Sequence, residues 1–368
     1  MKILITGGAG FIGSNFIHYW LNNHKSDGIW NLDKLTYAGN KENLKDIDED
    51  PRYHFIQDDI CNLNLVKSML EKEDIDVIVH FASQTHVDKS VLLIERGINN
   101  KGVNKLFEES IDGDFVLNNV WGTHILLEAA VKAWRNSDGT YAPQKRFHHI
   151  STDEVFGALS LEDKNKFNEN TIYNPRSPYS ASKAAADHLV RAYHFSFGLP
   201  VTISNCSNNY GPYMYPEKLL ALAITNLIEG KKIPIYGDGK YVRDWLQVDD
   251  HCRAIEAILT KGKIGETYCL GGLTEDVNNL ELIRMVLKIM GKGEENLEYV
   301  KDRPGHDRRY AVDYTKATNE LGWRPNISLT EGLKAMIEWY IGHPEWWKPI
   351  KSGQYLEYYK KQYQERAK

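Results

Sequence analysis

The sequence predicts an α/β fold in which helices cover both faces of a doubly wound parallel sheet, with a smaller α/β lobe in the carboxyl-terminal part. Two observations predict this class. Short runs rich in Val and Ile alternate with longer segments of helical period, and several of the short runs are apolar throughout. Unbroken apolar character is typical of strands buried on both faces, as in parallel sheets. With 368 residues, the chain is long enough for two domains.

The predicted elements alternate regularly in the first part of the chain. Strands are predicted at 2–6, 29–32, 53–56, 77–81, 147–151 and 201–205. Helices are predicted at 11–23, 63–73, 118–134 and 179–197, and Gly198 with Pro200 ends the last of them. Later, extended pieces at 233–236 and 267–270 alternate with helices at 216–229, 251–260, 280–290 and 329–340. We therefore expect a first domain of residues 1–206 with about 246–271, and a second lobe of about 207–245 with 272–368.

Composition and charge exclude several classes of function. The 45 Lys and Arg against 50 Asp and Glu give a net charge of −5, so no electrostatic attraction to nucleic acid or to an anionic membrane is expected. There is no secretory signal pattern and no apolar run long enough to span a bilayer, which predicts a cytoplasmic protein. The four cysteines are widely spaced, so neither a zinc site nor a disulfide framework is expected, and no metal is predicted.

The run GGAGFIG at 7–13 joins the first predicted strand to the first helix. Glycines are needed where such a turn is tight, where backbone amides approach a pyrophosphate, and where the helix meets the strand. Asp33 ends the second strand twenty residues after Gly13, where a carboxylate can accept hydrogen bonds from an adenosine ribose. These features predict a Rossmann site for NAD, because Asp33 would repel a 2′-phosphate. The adjacent Lys34 leaves NADP as an alternative.

Tyr179 and Lys183 are four residues apart in the run YSASK, and therefore share one face of the predicted helix. A phenol has a pKa near 10 and is a poor base at neutral pH. A nearby ammonium ion and a nicotinamide cation would lower that pKa and favour the phenolate. The spacing also arises by chance in helices, but its combination with the nucleotide loop favours a catalytic pair.

A threonine and two adjacent acids, Thr152, Asp153 and Glu154, follow the fifth predicted strand. The carboxyl ends of strands in an open α/β sheet face the ligand crevice. Two carboxyl groups with different surroundings can titrate apart, so that one serves as an acid and the other as a base. Adjacent acids are more often a solvated turn, but this position favours a catalytic role.

These motifs resemble the extended short-chain dehydrogenases/reductases that act on nucleotide sugars, and within them the dTDP-glucose 4,6-dehydratase family. The resemblance covers nearly the whole chain through the runs TGGAGFIGSN, LDKLTYAGN, STDEV, PYSASK, CSNNYGP and DRPGHDRRY. The glycine loop and the tyrosine-lysine pair are common to the whole superfamily. The Thr-Asp-Glu trio is more selective, because related epimerases and decarboxylases carry no acid pair there.

The resemblance implies a hydro-lyase of deoxysugar biosynthesis that converts dTDP-glucose to dTDP-4-keto-6-deoxyglucose with bound NAD. Tyr179, aided by Lys183 and Thr152, would deprotonate the glucose 4-hydroxyl while hydride leaves C4. Glu154 would then remove the C5 proton as Asp153 protonates the departing 6-hydroxyl. The hydride would finally return to C6, so that no net oxidation occurs.

The resemblance also implies the remaining contacts. Those to NAD are Gly7, Gly10, Phe11, Ile12, Gly13, Asp33, Lys34, Leu35, Thr36, Asp59, Ile60, Phe81, Ala82, Ser83, Gln84, Thr85, Asn118, Tyr179, Lys183 and Asn209. Those to the sugar nucleotide are Thr85, Thr152, Asn208, Lys218, Leu219, Pro234, Ile235, Tyr236, Arg243, Asn278, Asp302, Arg303, Pro304, Gly305 and His306. Arg243 and Arg303 are expected to clamp the diphosphate through their forked guanidinium groups, although a salt bridge from Arg243 to Asp244 is equally compatible with the sequence.

Two departures from the family and several alternatives stay open. Gln84 stands where the family carries a glutamate, and the segment between Ser90 and Val116 is longer than usual. That segment could be a lid, an oligomer contact or a surface insertion.

A homodimer is expected by analogy, through helices 118–134 and 179–197. The alternatives are a UDP- or CDP-glucose 4,6-dehydratase, another nucleotide-sugar epimerase or decarboxylase, or a non-enzymatic NAD-binding scaffold.

Overall fold

A computed structural model describes residues 1–85, 115–273, 276–302 and 306–352. Its strands are β1 Lys2–Thr6, β2 Gly28–Asp33, β3 Tyr53–Gln57, β4 Val77–His80, β5 Arg146–Thr152, β6 Val201–Cys206, β7 Asn208–Tyr210, β8 Ile233–Tyr236, β9 Trp245–Gln247, β10 Thr267–Leu270 and β11 Leu297–Val300. Its α-helices are α1 Phe11–Asn23, α2 Leu63–Lys72, α3 Gly122–Trp134, α4 Pro178–Phe197, α5 Leu219–Ile228, α6 Val248–Lys261, α7 Asn279–Ile289, α8 Thr315–Leu321, α9 Leu329–Gly342 and α10 Pro344–Ile350.

The main sheet has seven parallel strands in the order β10-β6-β5-β4-β1-β2-β3. The predicted doubly wound α/β class is confirmed. After β1, the chain adds β2 and β3 on one side of this strand. It then crosses over and adds β4 on the other side of β1, so the direction of winding reverses between β1 and β4. Ligands bind outside the carboxyl ends of the strands at such a reversal.

Both faces of this sheet are buried, which explains the unbroken apolar runs of the sequence. Leu4 packs into the core beneath α2, α3 and α4. Its neighbours Ile3 and Ile5 point to the opposite face, into the core beneath α1 and α6. Alternate side chains of one strand therefore enter two separate cores, and both need apolar residues.

The remaining elements form a smaller unit beside the carboxyl ends of the main sheet. Strands β8 and β11 pair in parallel, as do β7 and β9. Helices α5, α7, α9 and α10 pack around a common core that includes Trp245, Tyr340 and Trp347. The strand at 267–270 does not belong to this unit, because β10 is the edge strand of the main sheet. The domain bounds given above stay a prediction.

Two helices begin later than the sequence predicts. Val116–Trp121 is a π-helical turn, and α3 starts only at Gly122. The Asn119 side chain within this turn donates to Ser182 Oγ of α4 at 2.9 Å and accepts from the Gln84 backbone amide at 2.8 Å. These tertiary bonds fix the wider turn, which local periodicity cannot predict. Likewise α5 begins at Leu219, because the backbone of Lys218 is extended.

The long segment between Ser90 and Val116 lies almost wholly outside the described residues. Its role therefore stays a prediction. Among the helices that the structure does describe, none is both long and apolar enough to cross a membrane.

Candidate active site

A cleft of about 450 Å³ opens at the carboxyl ends of β1, β4 and β5 and is closed on its far side by the smaller unit. It brings together the glycine loop, the end of β2, the loop after β4, the start of α4 and residues from β8 and the segment before β9. Nearly all the residues predicted from separate motifs therefore meet in one place. Volumes of this size are typical of sites for small organic ligands.

The glycine loop packs against the backbone that follows β4. Gly7 has a φ of +72°, and a Cβ there would lie 2.6 Å from the Ala82 backbone nitrogen. A Cβ on Gly13 would lie 2.5 Å from the Gly7 carbonyl oxygen. Gly10 precedes the first residue of α1 in extended conformation, so the amides of the first helical turn face the cleft. The loop therefore has the close backbone approach that a pyrophosphate site requires.

Replacing Gly13 by alanine should disrupt this cradle. Because the new methyl group would meet backbone atoms that cannot rotate away, we expect a loss of about 1–3 kcal/mol in the free energy of unfolding. We also expect NAD affinity to fall by roughly tenfold or more, since the loop amides would move. Urea unfolding and calorimetric titration with NAD measure the two effects. Gly342→Ala is the matched control, because no heavy atom lies within 4 Å of its added Cβ; equal behaviour of both variants would contradict the assignment.

Asp33, the predicted ribose acceptor at the end of β2, is held in place by backbone amides. Asp33 Oδ2 accepts from the Ala9 amide at 2.9 Å, and Oδ1 accepts from the Leu35 amide at 2.8 Å. Burial raises the pKa of Asp33, and these two bonds oppose the rise. The neighbouring Lys34 ammonium lies 3.0 Å from Asp59 Oδ2. Lys34 is thus engaged by a carboxylate, which weakens the case for a 2′-phosphate site.

The tyrosine-lysine pair lies at the amino end of α4, on the floor of the cleft. Ser177 caps this helix through a reciprocal capping box with Ser180, and Pro178 occupies the first turn. Tyr179 is 7% exposed and Lys183 is 4% exposed. The Lys183 ammonium donates to the Ile150 carbonyl of β5 at 2.7 Å. The cap and this bond fix both side chains against the sheet.

The net effect of the protein's own groups on the pKa of Tyr179 is upward. Burial raises that pKa well above its usual value, and the negative charge of Glu154 adds to the rise, against a hydrogen bond with Thr152 that lowers it. The expected lowering includes the positive charge of the nicotinamide ring, so it stays a prediction. Burial lowers the pKa of Lys183 to about 8.

The two adjacent acids have different surroundings. Asp153 is 1% exposed, whereas Glu154 is half-buried at the cleft wall. Burial raises the pKa of Asp153 well above its usual value, and the nearby Glu154 charge adds to the rise. Thr152 caps the short helix Asp153–Phe156, because its hydroxyl accepts from the Glu154 amide at 3.2 Å. Thr152 therefore sets the position of both acids in the cleft.

Arg243 is a buried arginine in the part of the cleft wall that the smaller unit contributes. Its guanidinium lies 4.3 Å from the Tyr310 ring centre and donates to the Val242 carbonyl at 2.7 Å. The carboxylate of Asp244 accepts from two backbone amides, those of Gly272 at 2.8 Å and Val312 at 3.2 Å. Asp244 thus has a structural role, and Arg243 lines the cleft.

Comparison with known proteins places this geometry in a family. The model of the GDP-mannose 4,6 dehydratase family matches residues 4–336. The dTDP-glucose 4,6-dehydratase of Escherichia coli is 43% identical over 380 aligned positions, with 100% of each chain covered. The chain belongs to the dTDP-glucose 4,6-dehydratase family.

Solved structures agree with this membership of the dTDP-glucose 4,6-dehydratase family. The Bacillus anthracis enzyme in complex with NAD is 43% identical, with a TM-score of 0.82 over 95% of this chain and 100% of that one. The Streptomyces venezuelae enzyme with NAD and TYD bound is 42% identical, with a TM-score of 0.83 over 95% and 100% of the two chains. The resemblance that the motifs predicted is confirmed.

Most contacts expected from the dehydratase family line the cleft, but four do not. Leu35 lies in a turn with a φ of +58°, and its amide orients Asp33. Ile235 points away from the cleft into the core of the smaller unit. Asn278 caps α7 through Glu281. Asp302 bonds to the Tyr241 hydroxyl and, at 2.9 Å, to His306. The predicted contacts Arg303, Pro304 and Gly305 lie outside the described residues.

The cleft also has lining residues that the motif reading missed. Tyr37, Glu217, Trp245 and Tyr310 all contribute to its wall. Tyr37 and Tyr310 lie inside family runs, so the sequence carried a signal for these two. Sequence position alone does not show which side chains of a run point into the cleft, because that depends on the turns between elements.

Proposed function

We propose that the chain dehydrates dTDP-glucose to dTDP-4-keto-6-deoxyglucose with NAD held in the glycine-loop cleft. The observation that carries this proposal is the acid pair Asp153 and Glu154, which shares one cleft with Tyr179 and Lys183. A dehydrogenation needs one base, whereas removal of water needs an additional acid and base. The solved Streptomyces venezuelae dTDP-glucose 4,6-dehydratase, with NAD and TYD bound, supports the choice of substrate.

The residues present fit NAD. An added Cβ at Gly7 or Gly13 would fill the space at the amino end of α1, and Asp33 stands where the adenosine ribose would lie. When bound, NAD supplies a hydride acceptor and a positively charged ring that favours a nearby phenolate. We assign Phe11, Ile12 and Asp33 to holding it.

In the first step, Tyr179 accepts the proton of the substrate 4-hydroxyl, and Thr152 bonds the same oxygen. Lys183, four residues along the same helix, contributes positive charge to this part of the cleft. The pKa of Tyr179 is raised by burial and by Glu154, so the phenolate depends on the positive charges that surround it in the complex. Loss of the hydride at C4 leaves a ketone, which acidifies the C5 hydrogen.

In the second step, the two acids remove water. Burial and the Glu154 charge raise the pKa of Asp153, which favours its protonated form as the donor to the departing 6-hydroxyl. Glu154 takes the C5 proton and returns it after hydride reaches C6. One proton then remains on Tyr179 and one is missing from Asp153, so a single proton passed between them restores both groups.

The substrate diphosphate requires placed cations, because the chain carries a net charge of −5. We assign Arg243 to this role, since it is 7% exposed and lines the cleft beside Tyr236 and Lys218. Its planar guanidinium suits a pair of phosphate oxygens. Arg303 keeps the same proposed role on the basis of the resemblance alone.

Incubation with single nucleotide sugars tests the proposal. We expect dTDP-glucose to lose one water in the presence of NAD, as read by mass spectrometry, and to react faster than UDP-glucose, CDP-glucose or GDP-mannose. The bases thymine and uracil differ by one methyl group, which limits that discrimination to about 10- to 200-fold. No loss of water from any of the four substrates would refute a dehydratase.

The alternatives differ in products. An epimerase would convert its substrate without loss of mass, and a scaffold would bind NAD and convert nothing. The acid pair favours the dehydratase over both, because neither alternative has a use for Asp153 and Glu154 together.

We further propose a cytoplasmic homodimer. The resemblance to the family supports the dimer. Exposed apolar side chains in the turn before α3 and at the end of α4 also support it, namely Val116, Trp121, Phe195 and Phe197. A mass in solution near 42.3 kDa would contradict the dimer.

A further inference from the structure

Helix α4 carries ionisable groups at three positions spaced four residues apart: Tyr179, Lys183 and Asp187. Such positions share one face of a helix. The first two line the cleft, whereas Asp187 lies one turn deeper, with 0% exposure, and does not line it. A buried carboxylate is costly unless it has partners, so its surroundings decide what it does.

Asp187 is surrounded by donors from three different elements. Its Oδ2 accepts from Tyr173 at 2.7 Å, from Ser151 at 2.9 Å and from Asn205 at 3.3 Å. Burial alone would raise the pKa of this carboxyl, but hydrogen bonds from His149 and Tyr173 and the charge of Lys183 bring it below the usual value. Asp187 is therefore ionised at neutral pH and ties α4 to β5 and β6.

His149 stands between this carboxylate and the catalytic lysine. Its Nε2 lies 3.3 Å from Asp187 Oδ1 and 3.4 Å from Lys183 Nζ. Burial and the Lys183 charge lower the pKa of His149 to about 4, against the hydrogen bond and charge of Asp187. The imidazole is thus neutral, and its Nε2 can either donate to Asp187 or accept from Lys183, but not both.

We propose that Asp187 is a positioning residue for the reaction, which supplies the counter-charge that keeps Lys183 an ammonium ion in a buried site. This inference rests on the proposed function, in which Lys183 acts as a cation next to Tyr179 on the same helix face. Asp187 itself does not touch the substrate. Its effect reaches the cleft through the charge of the lysine.

The other groups around this cluster do not replace Asp187. Burial is the main influence that lowers the pKa of Lys183, and the charge of Asp187 is the largest one that opposes it. Burial lowers the pKa of His80 and raises that of Cys206 to about 12, so both are neutral at neutral pH. The titratable or charged groups packed around the cluster are His80 of β4, His148 and His149 of β5, Asp153 and Glu154 after β5, Tyr173 before α4, Tyr179 and Arg191 of α4, and Cys206 of β6.

The test is the pH dependence of kcat/KM for dTDP-glucose in Asp187→Asn, which keeps the size of the side chain and removes its charge. We expect the alkaline limb to move to lower pH by about one unit or more, because Lys183 loses its proton more easily. The loss of activity is then about tenfold or more near pH 8 and smaller near pH 6.5. A purely structural role would lower activity equally at every pH.

The matched control is Tyr173→Phe, which removes one hydrogen bond from the same carboxylate but leaves its charge. Its alkaline limb should stay where it is in the unaltered protein. If Asp187→Asn does not fold, Asp187→Glu tests whether the charge is what matters. The glutamate keeps the negative charge, so the alkaline limb of the kcat/KM profile should not move. An unmoved limb in Asp187→Asn, or a limb shifted to lower pH in Asp187→Glu, would overturn the proposal.

A second readout does not depend on activity. Between the folded pKa of Lys183, about 8, and its higher unfolded value, the unfolded chain binds more protons, so the free energy of unfolding rises with pH. In Asp187→Asn this rise should begin at lower pH, and it should be absent in Lys183→Met. A rise that begins at the same pH in both Asp187→Asn and the unaltered protein contradicts the inference. If the unaltered protein converts no nucleotide sugar, the proposed function fails, while this measurement still decides the link between Asp187 and Lys183.

Discussion

In the variant Tyr179→Phe we expect kcat for dTDP-glucose dehydration to fall by about 10²–10⁴-fold, the range over which a positioned acid or base contributes. In the proposed mechanism, the Tyr179 oxygen takes the proton of the 4-hydroxyl as hydride leaves C4. Without that base the first step stops, so no NADH should form. Single-turnover absorbance of NADH measures this step, and mass spectrometry measures the product.

The same substitution should leave the fold intact. The phenylalanine ring keeps the buried contact with Phe115, whose ring centre lies 6.3 Å away. The matched control is Tyr193→Phe on the same helix, whose hydroxyl bonds to His124 at 3.0 Å outside the cleft. Its activity should be unchanged. A Tyr179→Phe variant that still accumulates NADH at the normal rate would exclude the tyrosine as the base.

In the variant Glu154→Gln we expect a different result, in which oxidation at C4 persists and elimination of water stops. The amide fills the same space but cannot accept the C5 proton, so product formation should fall by about 10²–10⁴-fold. NADH should then accumulate on the enzyme, because hydride has left C4 and cannot return to C6. The variant therefore separates the two chemical steps that the cleft is proposed to combine.

The control for this change is Glu162→Gln, at an exposed position outside the cleft. It should form product at the normal rate without a build-up of NADH. Normal product formation by Glu154→Gln would remove this residue from the mechanism and leave the C5 base unassigned. Loss of both NADH and product would instead place Glu154 in the first step.

The comparison of sequence and structure is most instructive at the catalytic residues. The spacing of Tyr179 and Lys183 predicted that they share a helix face, which they do. The predicted lowering of the pKa of Tyr179 depends on the charge of bound NAD and stays a prediction, whereas burial and Glu154 raise that pKa. Spacing reports which residues are neighbours on a helix, but it carries no information on desolvation.

The cofactor loop was predictable for a different reason. A Cβ on Gly13 would meet the backbone of Gly7 and Gly8, so this requirement is local and the sequence states it directly. Gly7 meets the distant backbone of Phe81 and Ala82, but its place in a known loop pattern made it predictable all the same. By contrast, the side chains of Ile235 and Asn278 were expected at the substrate and instead enter a core and cap a helix.

The sequence by itself determined the doubly wound sheet, the nucleotide loop and the family, because strand burial and tight turns leave residue patterns along the chain. Only the tertiary structure decided that Asp153 is the buried acid and Glu154 the more exposed one. Only the tertiary structure placed His149 of β5 within 3.4 Å of both Asp187 and Lys183. The physical reason is that the pKa of a group depends on burial and on charges contributed by distant parts of the chain, which meet only when the chain folds.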